Sequence, residues 1–337
     1  MISVGVDYER ARLFGRVLGG LMARLRVDSF TDQRFYPPES ADRETIAMYF
    51  LVMVAMDHRL SRPGRPYEGV VDGEVYHGAD LLYRLGRKTL DEDPDFFTAE
   101  RLSKISEADV RKWLSARDSR GRVVEPPDPA LRAMLLRDLG IKLSSFFDGS
   151  AYRVVLASRG YLKRGAGGFI NELKVFKAYQ DPVEKKAYLL AKFLERRGVL
   201  HIADPHNKEV PVDNHLARIA VRLGIVRVDR DTLEAIALGR PFTWEEDVLL
   251  RMTARLAYKE AAREAGVDPF VIDDFLWMFG RKCCTREDPV CRSGCRRACE
   301  ELGACSGGSC VFEEVCLARR DPIYMVPEHN YIDTWYY

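Results

Sequence analysis

The amino-acid sequence predicts a protein built almost entirely of α-helices. Helix-capping patterns recur along the chain. Ser106 with Asp109, and Thr243 with Glu246, place a hydroxyl and a carboxylate three residues apart, where they can satisfy the first backbone amides of a helix. Apolar residues also recur at helical spacing, and glycines stand where those helices would end. We therefore expect an all-α fold with one short hairpin.

In the first half of the chain, the predicted helices are separated by segments rich in proline and glycine. Asp42 can cap a helix that runs through an apolar stretch to His58. An Asp-Gly pair within residues 70–76 predicts a tight hairpin. Residues 118–129, rich in Arg, Gly and Pro, are the best candidate for a linker, and glycines interrupt residues 160–168.

The second half predicts helices with clearer boundaries. Residues Lys186–Arg197 have the pattern of an amphipathic helix. Apolar residues at positions i, i+3, i+4 and i+7 predict a second helix that ends at Gly224. A long helix should run from residue 243 to residue 264, and another should cover residues 270–279.

Composition excludes several classes of protein. The net charge of +1 rules out an overall basic field, so a nucleic-acid partner would need a local basic patch. The most apolar run, residues 46–56, is too short to span a bilayer, and no secretory signal begins the chain. We expect a cytoplasmic monomer without a membrane partner. Only two Gln and four Asn among many charged residues are typical of a thermophile.

All eight cysteines lie between Cys283 and Cys316. This clustering favours a metal centre, because soft thiolates must converge on a metal, whereas disulfides that stabilise a fold usually join distant elements. Zinc is the lesser alternative, since the paired C-x2-C pattern of many zinc sites is absent. Local disulfides are a third interpretation, because the cytosol of hyperthermophiles tolerates them. We predict an iron–sulfur centre.

The cysteine segment resembles the tail of endonuclease III-type enzymes, members of the helix-hairpin-helix DNA glycosylase superfamily. In those enzymes a helix ends in Gly-Arg, and a C-x6-C-x2-C-x5-C motif then holds a [4Fe–4S] cluster. Here a Gly-Arg pair precedes Cys284, the spacing from Cys284 to Cys291 matches the first pair, and the spacing from Cys310 to Cys316 matches the last. The resemblance implies that these four cysteines bind the cluster.

The chain departs from the family pattern between Cys291 and Cys310, where 18 residues replace two. The insertion and one upstream position add four thiols to the segment: Cys283, Cys295, Cys299 and Cys305. These thiols could form disulfides, bind a second metal or supply a ligand in place of Cys310.

A second resemblance to the same superfamily lies upstream. The segment VPVDNHLAR, which begins at Val210, resembles the family's V-D-x-H-x-x-R pattern. The family's aspartate begins a helix and is essential for breaking the N-glycosidic bond, which implies a catalytic role for Asp213. Such a carboxylate can stabilise the positive charge that develops on the sugar. The alternative interpretation is that Asp213 only caps its helix.

Bifunctional members of the superfamily also carry a lysine that forms a Schiff base with the sugar. The segment DPVEKKA, which begins at Asp181, resembles the corresponding hairpin of archaeal 8-oxoguanine glycosylases. The resemblance implies Lys185, or else Lys186, as the nucleophile, although a lysine pair at a helix start is commonly solvated. The hairpin lacks the family's phosphate-binding glycines. Basic residues of the cysteine segment could bind DNA instead, or simply face solvent: Arg281, Lys282, Arg286, Arg292, Arg296 and Arg297.

The first 150 residues also resemble, more diffusely, the queuosine-salvage nucleosidases, which cleave a free modified nucleoside. The similar stretches cover residues 67–82, 96–114 and 146–150. Together the resemblances imply an N-glycosylase that excises a damaged or modified base from DNA in repair, with or without lyase activity. The alternatives are a nucleoside N-glycosylase and a non-catalytic iron–sulfur protein that binds nucleic acid.

These resemblances also imply three regions. We predict an N-terminal helical region at 1–125, a helix-hairpin-helix glycosylase core at 126–280, and a cysteine-rich iron–sulfur loop with a C-terminal tail at 281–337.

Overall fold

The computed structural model describes residues 2–21, 25, 27–62 and 64–337. In chain order, its helices are α1 (Tyr8–Gly20), α2 (Arg43–Met56), α3 (Ala79–Glu92), α4 (Ala99–Ser103), α5 (Glu107–Leu114), α6 (Pro129–Phe146), α7 (Ala151–Ala157), α8 (Phe169–Leu173), α9 (Lys185–Arg196), α10 (Asn214–Leu223), α11 (Arg230–Ala237), α12 (Trp244–Ala265), α13 (Pro269–Lys282), α14 (Val290–Ser293), α15 (Arg297–Glu301) and α16 (Leu317–Arg320). The strands are β1 (Val4–Val6), β2 (Glu68–Val71), β3 (Glu74–His77), β4 (Ala116–Arg117), β5 (Val123–Val124), β6 (Val226–Val228), β7 (Cys305–Ser306) and β8 (Ser309–Cys310). The mostly helical class is confirmed.

The chain divides into two compact units. Unit 1 combines the chain's beginning, Met1–Asp28, with Lys208–Asp333. Unit 2 consists of Ser29–Asn207 and Thr334–Tyr337, so its main segment interrupts unit 1 in the sequence. These boundaries differ from the predicted ones after residues 125 and 280.

The predicted helix caps are confirmed. The Asp42 side chain accepts a hydrogen bond from the Thr45 amide at 2.9 Å and begins α2. Complete capping boxes begin α5 and α12, at the two positions that the sequence indicates. Gly224 ends α10 with a φ of +76°, a conformation that glycine adopts without a steric penalty.

In unit 1, β1 pairs antiparallel with β6, with Val4 opposite Val228. This pairing brings the chain's first residues to its second half, where α1 packs along α12. A Cβ atom on Gly15 would lie 2.6 Å from the Ala261 carbonyl oxygen, so only glycine lets the two helices approach so closely. The core of this unit extends from Phe14 to the cysteine segment.

In unit 2, β2 and β3 form the predicted hairpin around an Asp-Gly turn. Residues 118–129 are not a linker, because β4 and β5 pair within and beside them and β4 joins β2. The helix predicted at Lys186–Arg197 is present as α9, but its polar face is covered too, since every residue from Lys185 to Leu194 is buried. No helix in the described part of either unit is long and apolar enough to cross a membrane.

Candidate functional site

Asp213 lies at the start of α10, where the buried residues Val210 and Val212 fix the entry of the chain. Its Oδ1 accepts a hydrogen bond from the Leu216 amide at 2.9 Å, so the capping role is real. The residue is buried, and among the described residues none donates a hydrogen bond to its second oxygen or forms an ion pair with it. Solvent reaches that second oxygen, since it is not among the buried polar atoms that lack a partner.

Two buried arginines of the same helix contact the cysteine segment. Arg218 donates to the carbonyls of Gly280 and Cys284, both at 2.7 Å, and pairs with Glu328. Arg222 donates to the Cys284 Sγ at 3.3 Å and to the Thr285 carbonyl at 2.7 Å. Burial lowers the pKa of Arg218 to about 10. The helix that Asp213 begins is therefore tied to the residues around Cys284.

The eight cysteines fall into two sets. Four are bonded in two interleaved disulfides, Cys283–Cys299 and Cys295–Cys305. The remaining four are free, and they are the four that the family resemblance implies as ligands: Cys284, Cys291, Cys310 and Cys316. Three possibilities were given for the additional thiols, and the structure shows the first of them, disulfide formation.

The four free cysteines line a single cavity, together with side chains of α10 and with Phe279 and Phe312. Burial raises the pKa of Cys310 to about 12 and that of Cys316 to about 11, and the neighbouring thiol of Cys284 contributes to both shifts. Without a metal these thiols are protonated at neutral pH, so the binding of a metal would release protons.

The four free thiols line one cavity, but they do not form a preformed site for a single ion. Among the described residues, no three His, Cys, Asp or Glu side chains are grouped closely enough to hold one metal ion. In a [4Fe–4S] cluster each thiolate binds a different iron. The iron–sulfur centre therefore stays a prediction from the sequence.

The two candidate lysines begin α9 in unit 2, after a turn that contains no glycine. The Asp181 carboxylate accepts hydrogen bonds from the amides of Val183 and Lys185, at 3.0 and 3.1 Å. Glu184 adopts the left-handed conformation, with a φ of +61°, that a glycine would otherwise provide. Its carboxylate is held by Lys163 and Lys174.

Both lysines are buried, contrary to the solvated alternative. The Lys185 ammonium lies 3.9 Å from an Asp57 carboxylate oxygen. Lys186 is 0% exposed, and its Nζ lies 2.6 Å from the Ala55 carbonyl and 3.1 Å from His58 Nδ1. Among the described residues, no carboxylate lies within ion-pair distance of Lys186. Burial lowers the pKa of Lys186 well below its usual value, and the charge of Lys185 adds to the effect.

Lys186 also has a structural role at the end of α2. The last carbonyls of a helix lack partners within it, and Lys186 serves the one of Ala55. The buried Arg132 serves those of Met56 and His58 at 2.5 and 2.6 Å. What distinguishes Lys186 from an ordinary capping lysine is that no described carboxylate lies within ion-pair distance of it.

Some of the basic residues of the cysteine segment form ion pairs with neighbouring carboxylates. Arg296 pairs with Asp288, and Arg297 pairs with Glu301 at 2.9 Å. Arg286 lies 3.4 Å from a carboxylate oxygen of Glu287. These contacts favour the solvated-surface interpretation for three of the six positions.

No known protein family matches the sequence, and no curated protein matches it either. The site must therefore be interpreted from its own residues. The structure gathers the four cysteines, connects them through α10 to the start of the helix at Asp213, and assigns Lys185 and Lys186 to unit 2. Sequence reasoning left out His58, which follows an apolar helix and carries no motif that would distinguish it from a core histidine.

Proposed function

We propose that this protein is an N-glycosylase that excises a damaged or modified base from DNA, with a lysine-dependent lyase step as a second activity. The observation that carries the proposal is the setting of Lys186. Its amine is fully buried, and its two contacts are a carbonyl and an imidazole. Burial lowers the pKa of a lysine so placed, which favours the neutral amine, and the neutral amine is the nucleophilic form.

The proposed reaction follows from that chemistry. The nitrogen lone pair of Lys186 forms a bond to C1′ of the sugar, and the bond from C1′ to the base breaks with its electron pair leaving on the base. Positive charge develops on the sugar during this step. A fixed carboxylate stabilises such charge. The sequence resemblance implies Asp213 of unit 1 for that role in base excision, and this assignment is separate from that of the lysine in unit 2. Lys185 is the second candidate for the nucleophile.

The condition of Asp213 supports this assignment. One carboxylate oxygen is held by the helix start, which fixes the side chain, and the other receives no hydrogen bond from the described residues. Preorganised charge of this kind contributes to catalysis because it does not need to reorient as the reaction proceeds.

Cys284, Cys291, Cys310 and Cys316 would hold the [4Fe–4S] cluster, as the sorting of free and bonded cysteines supports. In the family that the sequence resembles, the cluster positions a loop and does not react. Its role here would be to fix the segment that Arg218 and Arg222 contact. About four irons per chain in anaerobically purified protein would support the cluster, and one zinc with no iron would contradict it.

The test of the reaction uses duplexes that each contain one oxidised, alkylated or deaminated base. We expect base release, and we expect Asp213→Asn to slow it about 10²- to 10⁴-fold with duplex binding retained. Asparagine caps helices as well as aspartate, so a purely structural role predicts no loss. Asp229→Asn is the matched control, because Asp229 caps α11 in the same unit by the same contact, to the Thr232 amide at 2.9 Å.

Two further arms separate the alternatives. Borohydride trapping on damaged duplex should be lost in Lys186→Ala and kept in Lys185→Ala. Base release from free nucleosides but not from duplex would replace the DNA proposal by a nucleoside N-glycosylase. Salt-sensitive duplex binding without release from either substrate would leave only a nucleic-acid-binding protein.

A further inference from the structure

His58 is a buried histidine that no part of the proposed reaction yet uses. It follows α2 directly and is 2% exposed. Its Nδ1 lies 3.1 Å from Lys186 Nζ and 3.2 Å from the Ala55 carbonyl oxygen. Its Nε2 has no hydrogen-bond partner in the described structure. Buried polar atoms usually find partners, so an orphaned ring nitrogen beside a lysine calls for an explanation.

The three contacts indicate which atom carries which hydrogen. A carbonyl oxygen only accepts, and the Ala55 oxygen is 2.6 Å from Lys186 Nζ, so the amine is its donor. His58 Nδ1 lies 3.1 Å from the amine and accepts or donates according to the ring tautomer. We assign the accepting form, with the ring hydrogen on Nε2, the nitrogen without a partner in the described structure.

Among the described residues, the other charged groups that act on Lys186 are cations or carboxylates with partners of their own. Lys185 and Arg132, the nearest charged groups on α9 and α6, are cations. The Asp57 carboxylate pairs with Lys185, and the Asp181 carboxylate accepts two backbone amides. His58 is the one uncharged base in contact with the amine among these groups. Burial lowers the pKa of His58 well below its usual value, so the ring is neutral and able to accept.

We propose that His58 is the proton acceptor of Lys186 in the formation of the Schiff base. Once nitrogen has bonded to C1′ and the base has left with its electron pair, that nitrogen is positively charged and carries two hydrogens. His58 Nδ1 takes one of them. The freed lone pair then forms the C1′–N double bond as the C1′–O4′ bond breaks, and O4′ receives the proton that His58 had taken. The product is the protonated Schiff base.

This inference rests on the proposed function for its substrate, but one of its tests does not. Nitrogen-15 NMR of the folded wild-type chain reports which ring nitrogen of His58 is protonated. We expect Nε2–H with a bare Nδ1, assigned by comparison with His58→Gln. An Nδ1–H ring at neutral pH would overturn the inference whether or not the protein acts on DNA.

The kinetic test uses the rate of borohydride trapping on damaged duplex. His58→Asn and His58→Gln retain an amide that can accept a hydrogen bond but cannot take up a proton. We expect both to slow trapping about 10²-fold, with duplex affinity and the circular dichroism spectrum unchanged. His77→Asn, an exposed histidine of β3 in the same unit, should trap at the wild-type rate.

The outcomes distinguish the two proposals. Trapping at the wild-type rate in a folded His58→Gln or His58→Asn chain would overturn the role of His58 and leave the glycosylase proposal intact. Absence of trapping and of base release in the wild-type chain would overturn the glycosylase proposal, and the NMR result would still decide the tautomer of His58.

Discussion

Each unit of this protein buries a basic side chain completely, but only in unit 1 does a described carboxylate pair with that side chain. In unit 1, Arg251 is 0% exposed and lies one turn from Asp247, with 3.0 Å between Nη2 and Oδ2. His329 Nε2 completes the group at 2.7 Å from the other oxygen of Asp247. In unit 2, Lys186 is equally buried, but no carboxylate of the described residues pairs with it.

The pKa values express the difference. Burial alone would raise the pKa of Asp247, but the hydrogen bond to His329 and the charge of Arg251 outweigh it and hold that pKa at about 2. For Lys186, the charges of Asp57 and Asp181 oppose the effect of burial but do not outweigh it, and the pKa falls. A buried ionisable side chain with an oppositely charged partner remains charged and stabilises the fold. A buried basic group without one becomes neutral and available for chemistry.

The largest effect should come from removing one partner of the complete group. Arg251→Met removes the buried cation that pairs with the Asp247 carboxylate, so we expect the free energy of unfolding to fall by about 3–5 kcal/mol. Denaturant unfolding followed by circular dichroism measures this. Arg263→Met, which removes the exposed arginine that pairs with Glu260 in the same helix, should cost about 1 kcal/mol or less. Equal losses in the two variants would break the comparison.

A smaller loss in the free energy of unfolding should appear at low pH. The folded pKa of Asp247, about 2, lies below the usual value of 3.8. Its contribution is therefore present above about pH 4 and is lost as pH falls toward 2, and it amounts to about 2 kcal/mol. The free energy of unfolding at pH 7 and pH 3 measures it. Wild type should lose more on acidification than Asp247→Asn does, and parallel losses would contradict the assignment.

The smallest effect should come from Lys186→Met, which leaves no charge behind. In the variant the ring hydrogen of His58 can move to Nδ1, which then donates to the Ala55 carbonyl 3.2 Å away, so we expect a cost of about 1 kcal/mol. Because the folded pKa of Lys186 is lowered, wild-type stability should also rise with pH up to about 10.4, and the variant should lack that rise. Unfolding at pH 7 and pH 9 checks both points. A cost as large as that of Arg251→Met would show that Lys186 is also framework.

Much of the fold was predictable because helix boundaries are set locally. Asp42, Thr243 and Gly224 act within one turn of their own position, and the sequence shows that turn directly. The division into units was not predictable, because it depends on the pairing of β1 with β6, more than two hundred residues apart in the sequence. The sequence of residues 118–129 wrongly predicted a linker for a related reason. The neighbouring strand β4 pairs with β2, which lies far upstream.

The candidate site divides in the same way. Spacing identified the four cysteines that remain free, whereas the pairing of the other four was open, because four thiols allow three connectivities. The sequence also allowed solvent-exposed positions for Lys185 and Lys186, because two adjacent charged residues are usually exposed. Their burial follows from the packing of α9 against α2, which also brings His58 to Lys186.

The interrupted layout of unit 1 has a consequence for how the chain is made. On the ribosome, β1 and α1 emerge first, yet their partners β6 and α12 follow only after the main segment of unit 2 has been synthesised. During that interval the apolar face of α1, with Phe14 and Leu18, remains exposed to solvent. Unit 2 can complete its core meanwhile. Nascent chains halted before residue 244 should therefore depend on chaperones, which shield such a surface until α12 covers it.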